Sequence, residues 1–171
     1  MKPIWNNINK AIAVINLIVG FALLYVVANL SIKQLNYIKD LSEQNKFPKI
    51  ETSFLELMFG NRILLLIGIL STLSGIFMLL RKKIGWILGF CSVLISILIL
   101  FHITAFGIND VTTTFLGPKY WIQIYGGLGL LLFLSILILM LSKQIRILYK
   151  INRKTWFLSF GIILLIYLTL V

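Results

Sequence analysis

The sequence contains few of the residues on which most enzyme chemistry depends. Its 171 residues include five Asp and Glu, one His and one Cys. The single cysteine, Cys91, cannot form a disulfide within the chain. One histidine and five carboxylates also leave little material for a metal centre or for acid–base catalysis. This scarcity favours a non-catalytic protein without a metal or cofactor, although it leaves the question of an enzyme open.

Charge is also missing from the middle of five long apolar stretches. They cover about residues 11–30, 63–80, 84–106, 120–141 and 155–171. Helices of about 17 to 25 residues can cross a bilayer core of about 30 Å. With 60% hydrophobic and 12% charged residues, the chain is far more apolar than a soluble domain. The sequence therefore predicts an all-α polytopic membrane bundle of five transmembrane helices, a single domain over residues 1–171. A four-span alternative, with 155–171 lying on the membrane surface, stays open.

Lysine and arginine are distributed unevenly between alternate polar segments. Three segments (the N-terminal lead, the turn between the second and third stretches, and the segment before the fifth) hold ten Lys and Arg and no acid. The two other polar segments hold six Lys and Arg and all five acids. Because basic loops stay in the cytoplasm, we expect a cytoplasmic N-terminus and an external C-terminus. The topology determinants are Arg81, Lys82, Lys83, Lys143, Arg146, Lys150, Arg153 and Lys154.

The formal net charge of +11 points to a lipid partner. In a soluble protein such a charge would suggest nucleic acid, but basic loops beside membrane spans explain it here without any nucleic acid. We expect these loops to meet anionic lipid headgroups. The composition, rich in Ile, Lys and Asn, is typical of an AT-rich bacterial genome and makes the bacterial cytoplasmic membrane the expected location.

An amphipathic segment at about residues 31–61 is predicted outside the membrane. Ile32, Leu35, Ile38 and Leu41 recur at spacing three among charged residues, which is a helical pattern. The first span is therefore expected to continue as one helix to about residue 44. Further on, Ser53-x-x-Glu56 reads as a capping box that begins another short helix. This segment is the most hydrophilic part of the chain.

Small residues form possible packing faces on the second and third spans. The residues are Gly85, Gly89, Ser92 and Ser96 on one span and Ser71 and Gly75 on the other. Small residues at such spacings allow two helices to approach closely. Packing within this chain is the favoured explanation of these faces, and a contact with another membrane protein or a second copy stays open.

Two polar side chains and several aromatic ones are placed inside or beside the spans. Asn16 and His102 are candidates for polar contacts within the membrane, and His102 is also a weak haem candidate. Trp86, Trp121 and Trp156 are expected to anchor the spans at the interface. The segments at 83–90 and 154–160 each carry Phe four residues after Trp.

Three functions remain at this point. The first is a non-catalytic accessory, assembly or partner-binding component of a membrane complex. The second is a small transporter or substrate-binding module for an uncharged or lipophilic solute, with polar contacts from Asn16, Tyr25, Tyr125 and His102. The third is a lipid-modifying enzyme or a haem-bearing subunit. The lack of intramembrane charge favours the first, because coupled transporters generally need such charges.

Overall fold

The computed structural model describes residues 3–43, 52–106 and 119–170, and these residues form helices and turns with no strand. The helices are α1 (Pro3–Glu43), α2 (Phe54–Gly60), α3 (Arg62–Leu79), α4 (Lys83–Phe106), α5 (Lys119–Leu141), α6 (Lys143–Leu148) and α7 (Arg153–Leu170). Four candidate spans, Pro3–Leu41, Arg62–Leu79, Lys83–His102 and Ile124–Leu141, are long and apolar enough to cross a membrane. The all-helical class is confirmed.

Helix α1 is longer than a bilayer span. Its 41 residues correspond to about 61 Å, twice the thickness of a bilayer core. As the spacing of apolar residues predicted, the helix continues without a break from the apolar stretch into the polar segment and ends at Glu43. The predicted capping box at the start of α2 is also present: Ser53 N donates to Glu56 Oε2 at 2.9 Å, and Glu56 N donates to Ser53 Oγ at 3.2 Å.

Helices α1 and α3 pack antiparallel along a seam of small residues. A Cβ added at Gly75 would lie 2.7 Å from Ala13 O and 2.9 Å from Leu17 N. One at Gly20, nearer the middle of α1, would lie 2.9 Å from Gly68 O. Only glycine permits such backbone contact. Later residues of α1 therefore meet earlier residues of α3.

Helix α4 lies at the centre of the bundle. It follows α3 after a short turn, and a Cβ at Gly85 would lie 2.6 Å from the backbone carbon of Phe77. On another side, Trp86 Nε1 donates to Met140 O of α5 at 3.2 Å, while Leu100 packs beside Gly129. Early residues of α4 thus meet late residues of α5, so these two helices are antiparallel as well.

Trp86 was expected to anchor a span at the membrane interface, but its side chain packs inside the bundle. It is fully buried inside the protein, because its indole ring is stacked on Phe90 at 5.2 Å and meets Trp156 edge-on at 5.4 Å. Phe90 and Phe160 are also edge-on, at 6.1 Å. The two Trp-x-x-x-Phe segments of the sequence therefore pack against each other. The side chain of Trp121 lies outside the described residues.

Helix α7 runs beside α4 in the same direction. Trp156 contacts both Trp86 and Phe90, and Phe160 contacts Phe90. Farther along the two helices, Ile166 shares an apolar cluster with Ile95. The order of these contacts brings one end of every long helix together. The N-termini of α1, α4 and α7 and the C-termini of α3 and α5 lie at that shared end.

Candidate functional site

The shared end is held by a buried polar network. Tyr149 Oη donates to Asn9 Oδ1 at 2.7 Å and lies 3.1 Å from Met78 O. Asn9 Nδ2 donates to the same Met78 carbonyl at 3.4 Å. All three residues are buried. The network thus connects the start of α1, the end of α3 and the segment after α6, which carry or adjoin the three basic segments identified in the sequence.

The turn between α3 and α4 is a Schellman motif whose left-handed residue is Arg81. Lys82 N donates to Phe77 O at 2.8 Å, and Arg81 N donates to Met78 O at 3.0 Å. Arg81 has a φ of 53°, a conformation that is normally given to glycine in this motif. Its Nη2 atom donates to Asn6 Oδ1 of α1 at 2.8 Å, so the guanidinium is held in place.

The turn between α6 and α7 repeats this geometry. Ile151 N donates to Arg146 O at 2.9 Å, and Lys150 N donates to Ile147 O at 3.1 Å. Lys150 has a φ of 51°. Among the described residues other than glycine, Arg81 and Lys150 are the two with positive φ. Both are basic, and both lie at the shared end.

Burial raises the pKa of Tyr149 to about 12, although the positive charge of Arg81 acts in the opposite direction. The neutral phenol is the form that can donate a proton to Asn9 Oδ1. Near neutral pH the network therefore contains a protonated phenol between two helices, with a cation close by. We expect this buried hydrogen bond to stabilise the contact between the two segments.

The predicted topology determinants surround this network. Those at the surface are Arg81, Lys82, Lys83, Lys143, Lys150, Arg153 and Lys154. The eighth, Arg146, is half-buried, and its Nε atom is buried without a hydrogen-bond partner in the part of the chain that the structure describes. Lys10 of α1 is exposed at the same end. The sequence between 57 and 109 and beyond 111 contains no acid, so this end carries a dense positive charge.

Asn16 lies deeper in the bundle, within a second polar network. Its Nδ2 atom donates to Ser74 Oγ at 3.1 Å, and Ser74 Oγ donates to Gly85 O at 2.9 Å. This contact joins α1, α3 and α4 through side chains that are all buried. The amide predicted to make a contact inside the membrane is therefore bonded to a neighbouring helix of the same chain.

The predicted small-residue faces are buried within the chain. The six residues are all buried: Gly85, Gly89, Ser92, Ser96, Ser71 and Gly75. Ser92 and Ser96 donate to carbonyls of their own helix, at 3.1 and 2.8 Å. These six residues serve contacts between helices of this chain, and none of them forms part of an exposed face.

A groove lies at the opposite end, between the extension of α1 beyond its apolar stretch and helix α2. Its volume is about 410 Å³. The lining residues are Gln34, Tyr37, Ile38, Glu56, Leu57, Gly60 and Asn61. Amide, phenol and carboxylate groups here stand beside apolar side chains, which is a mixed surface suited to a peptide segment or another protein. None of the residues suggested for a solute site lines it.

The remaining candidates do not meet in a site. His102 lies on an exposed part of α4. Cys91 is buried, with its Sγ 3.5 Å from Ser159 O. Within the three described ranges, no group of three or more His, Cys, Asp or Glu could hold a metal ion. The positions of Glu51 and Asp110 lie outside those ranges.

Sequence reasoning missed Asn9, Ser74, Tyr149 and helix α6. The sequence does contain a pattern that predicts burial of Asn9. Asn9, Ala13, Asn16 and Gly20 follow the alternating spacing of four and three that marks a packed helix face. Ser142 gives a signal for α6, since its Oγ accepts from Ile145 N at 3.4 Å as an N-cap. Nothing in the sequence pairs Tyr149 with Asn9.

Comparison with family models, with curated proteins and with solved structures gave no match.

Proposed function

We propose that the chain is a five-span protein of the bacterial cytoplasmic membrane that acts as a non-catalytic accessory, assembly or partner-binding component of a membrane complex. Its N-terminus is cytoplasmic and its C-terminus is outside. The partner, another membrane protein or a second copy of the chain, binds the external platform made of the α1 extension and α2.

The fifth span is supported by the course of α7. This helix packs along α4 from Trp156 to Ile166, and its 18 residues correspond to about 27 Å, close to the thickness of a bilayer core. A helix lying on the membrane surface would instead cross α4 near one end. If α4 spans the bilayer, α7 spans it beside α4.

The orientation is supported by the gathering of the acid-free basic segments at the shared end. Had these segments been distributed between both ends, the positive-inside rule would have given no consistent answer. The groove between α1 and α2 then lies on the external side, where the acidic residues are.

The observation that carries the proposed function is the length of α1. About 13 residues beyond residue 30 extend the helix by about 20 Å past the apolar stretch, and α2 packs beside this extension. The groove between them presents Tyr37, 56% exposed, beside Glu56 and Asn61. A partly apolar platform outside the membrane is a surface for a protein partner.

The solute-binding alternative has less support. Asn16 is bonded inside a packed part of the bundle, and Tyr25 and Tyr125 are both exposed. None of these side chains lines the groove between α1 and α2. A binding cavity for a lipophilic solute would require several of them to face a common space.

Site-specific photo-crosslinking in native membranes tests the platform. A benzoylphenylalanine replaces Tyr37 in the groove or, as the matched control, Tyr25, which is 71% exposed on the same helix but about 18 Å nearer the shared end. We expect a discrete protein adduct from position 37 and lipid adducts alone from position 25. Absence of a protein adduct from position 37 would contradict partner binding at the platform.

Cysteine labelling tests the topology separately. Single cysteines replace Lys82 or Ser53 in a Cys91→Ser background, and intact cells are treated with a membrane-impermeant maleimide. We expect labelling at position 53 in intact cells. Position 82 should be labelled only after the membrane is permeabilised. The opposite pattern would show that the topology is the inverse of the one proposed. The crosslinking test of partner binding would still be valid.

A further inference from the structure

We propose that the two basic turns, Leu80 to Lys83 and Tyr149 to Lys154, together bind the phosphate of an anionic phospholipid headgroup. This inference rests on the proposed placement of the shared end at a membrane surface. It is independent of the partner at the opposite end.

The two turns are brought together by direct contact. Met78 O is an acceptor within the first turn, because Arg81 N donates to it at 3.0 Å. The same carbonyl lies 3.1 Å from the hydroxyl of Tyr149, which is the C-cap residue of the second turn. Segments about 70 residues apart in the sequence thus form one surface.

This surface carries positive charge without a compensating acid. Its exposed cations are Arg81, Lys82, Lys83, Lys150, Arg153 and Lys154. None of the helices that meet there carries an acid near this end. Cations held close together repel one another, and an anion between them relieves the repulsion. Clusters of this kind beside membrane helices recognise anionic headgroups.

Membrane topology alone does not explain why basic residues occupy the left-handed backbone positions of the two turns. The positive-inside rule needs Lys and Arg in a loop, but it does not need them in the left-handed conformation. At both turns this position, which glycine occupies most easily, holds a basic residue instead, Arg81 with φ of 53° and Lys150 with φ of 51°. A requirement for the two side chains accounts for both exceptions.

Two arginines at this end have N–H donor groups available to bind an oxyanion. Asn6 Oδ1 accepts from one Nη of Arg81 at 2.8 Å, which orients the planar guanidinium and leaves its other N–H groups available. A guanidinium presents paired donors that match the geometry of phosphate. On α6, the buried Nε of Arg146 has no acceptor among the described residues and adds a second unfilled donor near the second turn.

The test uses the double variant Arg81→Gly and Lys150→Gly in the full-length protein. Glycine is the residue best suited to positive φ, so the turns are expected to keep their shape while both side chains are lost. Binding of phosphatidylglycerol and of phosphatidylcholine is measured by native mass spectrometry and by the lipid-induced change in melting temperature. We expect binding of phosphatidylglycerol to fall by about thirty-fold, since each basic group near a surface contributes about five-fold.

The matched control is the double variant Lys10→Gln and Lys143→Gln, which removes the same charge from exposed positions at the same end but outside the turns. We expect it to lose less than about five-fold, the effect of one basic group near a surface, because Lys10 and Lys143 lie outside the two turns that hold the phosphate. Equal losses in the two variants would show general electrostatic attraction and overturn the site. Equal binding of both lipids by the unchanged protein would also overturn it.

Inorganic phosphate and pyrophosphate, added without lipid, distinguish the source of the phosphate. A melting-temperature shift as large as that given by phosphatidylglycerol would assign the site to a soluble anion and contradict the headgroup. Cysteine labelling keeps the two proposals apart: if the unchanged protein has the proposed topology but binds both lipids equally, this inference alone is removed.

Discussion

Tyr149 and Asn9 are joined by a buried hydrogen bond of 2.7 Å, across 140 residues of sequence. Asn9 belongs to the first turns of α1, whereas Tyr149 closes α6 after four long helices have been formed. The bond therefore completes the shared end of the bundle only when the start and the last third of the chain have come together. It also sets the phenol against the Met78 carbonyl and so aligns the two basic turns.

Replacing Tyr149 by Phe removes this bond and retains the ring. Asn9 Oδ1 is then left buried without the phenol as its donor, which costs about 1 to 2 kcal/mol of unfolding free energy. We expect a lower melting temperature in mild detergent. Tyr37→Phe is the control, because Tyr37 is exposed and its loss should leave the melting temperature unchanged. An equal melting temperature for Tyr149→Phe would mean that the network contributes no stability.

The same phenol predicts a loss of stability in alkali. The pKa of Tyr149 is raised to about 12 by burial, above the value of about 10 expected in the unfolded chain. Its neutral form is thus favoured by folding, and this contribution, on the order of 2 kcal/mol, is complete below pH 10. It is lost as the pH rises from about 10 to about 12. Lysines titrate in the same range, so the informative measurement is the melting temperature of the protein minus that of Tyr149→Phe at each pH. A constant difference from pH 8 to 12 would contradict the raised pKa.

The elements of the fold could be predicted from the sequence because hydrocarbon imposes a strong rule. A charged residue is costly in a bilayer, so the boundaries of apolar stretches mark helix ends closely: the expected limits 84–106 and 120–141 compare with α4, Lys83–Phe106, and α5, Lys119–Leu141. The extension of α1 followed from helical spacing, and the capping box followed from Ser53 and Glu56.

The contacts between helices could not be predicted in the same way. Hydropathy places Trp86 near a boundary, but its burial depends on the position of α7, which no local pattern gives. The partners of Asn9 likewise depend on how α1 is rotated against α3. The groove between α1 and α2 arises between two segments that the sequence showed separately. Its lining could not be named until α2 was placed beside Tyr37.

The close contact of α3 and α4 predicts contrasting effects for two glycines. In Gly85→Ala the new methyl would lie 2.6 Å from the backbone carbon of Phe77, and backbone cannot move aside as a flexible side chain can. We expect a loss of about 1 to 3 kcal/mol of unfolding free energy. Gly161→Ala on α7 is the control, because nothing lies within 4 Å of its added methyl. That variant should melt at the same temperature or slightly higher, since alanine favours helix. Equal destabilisation of both would argue against the packing of α4 on α3.

The attachment of α7 to α4 predicts a local effect of Trp156. Its indole lies edge-on to Trp86 and to Phe90, at 5.4 and 5.2 Å, and such aromatic pairs contribute about 0.5 to 1.5 kcal/mol each beyond their buried area. Trp156→Ala should therefore loosen α7 without unfolding the rest of the bundle.

Hydrogen–deuterium exchange in lipid nanodiscs measures this loosening. We expect faster exchange at the first turns of α7 and unchanged exchange in α1 and α3. The control is Phe157→Ala, because this neighbouring side chain is 78% exposed and faces away from α4. If Phe157→Ala accelerates exchange in α7 as much as Trp156→Ala does, the helix is held by the surrounding lipid and its aromatic contacts with α4 contribute little. If neither variant changes the exchange, α7 is anchored by contacts nearer its C-terminal half, such as those of Ile166.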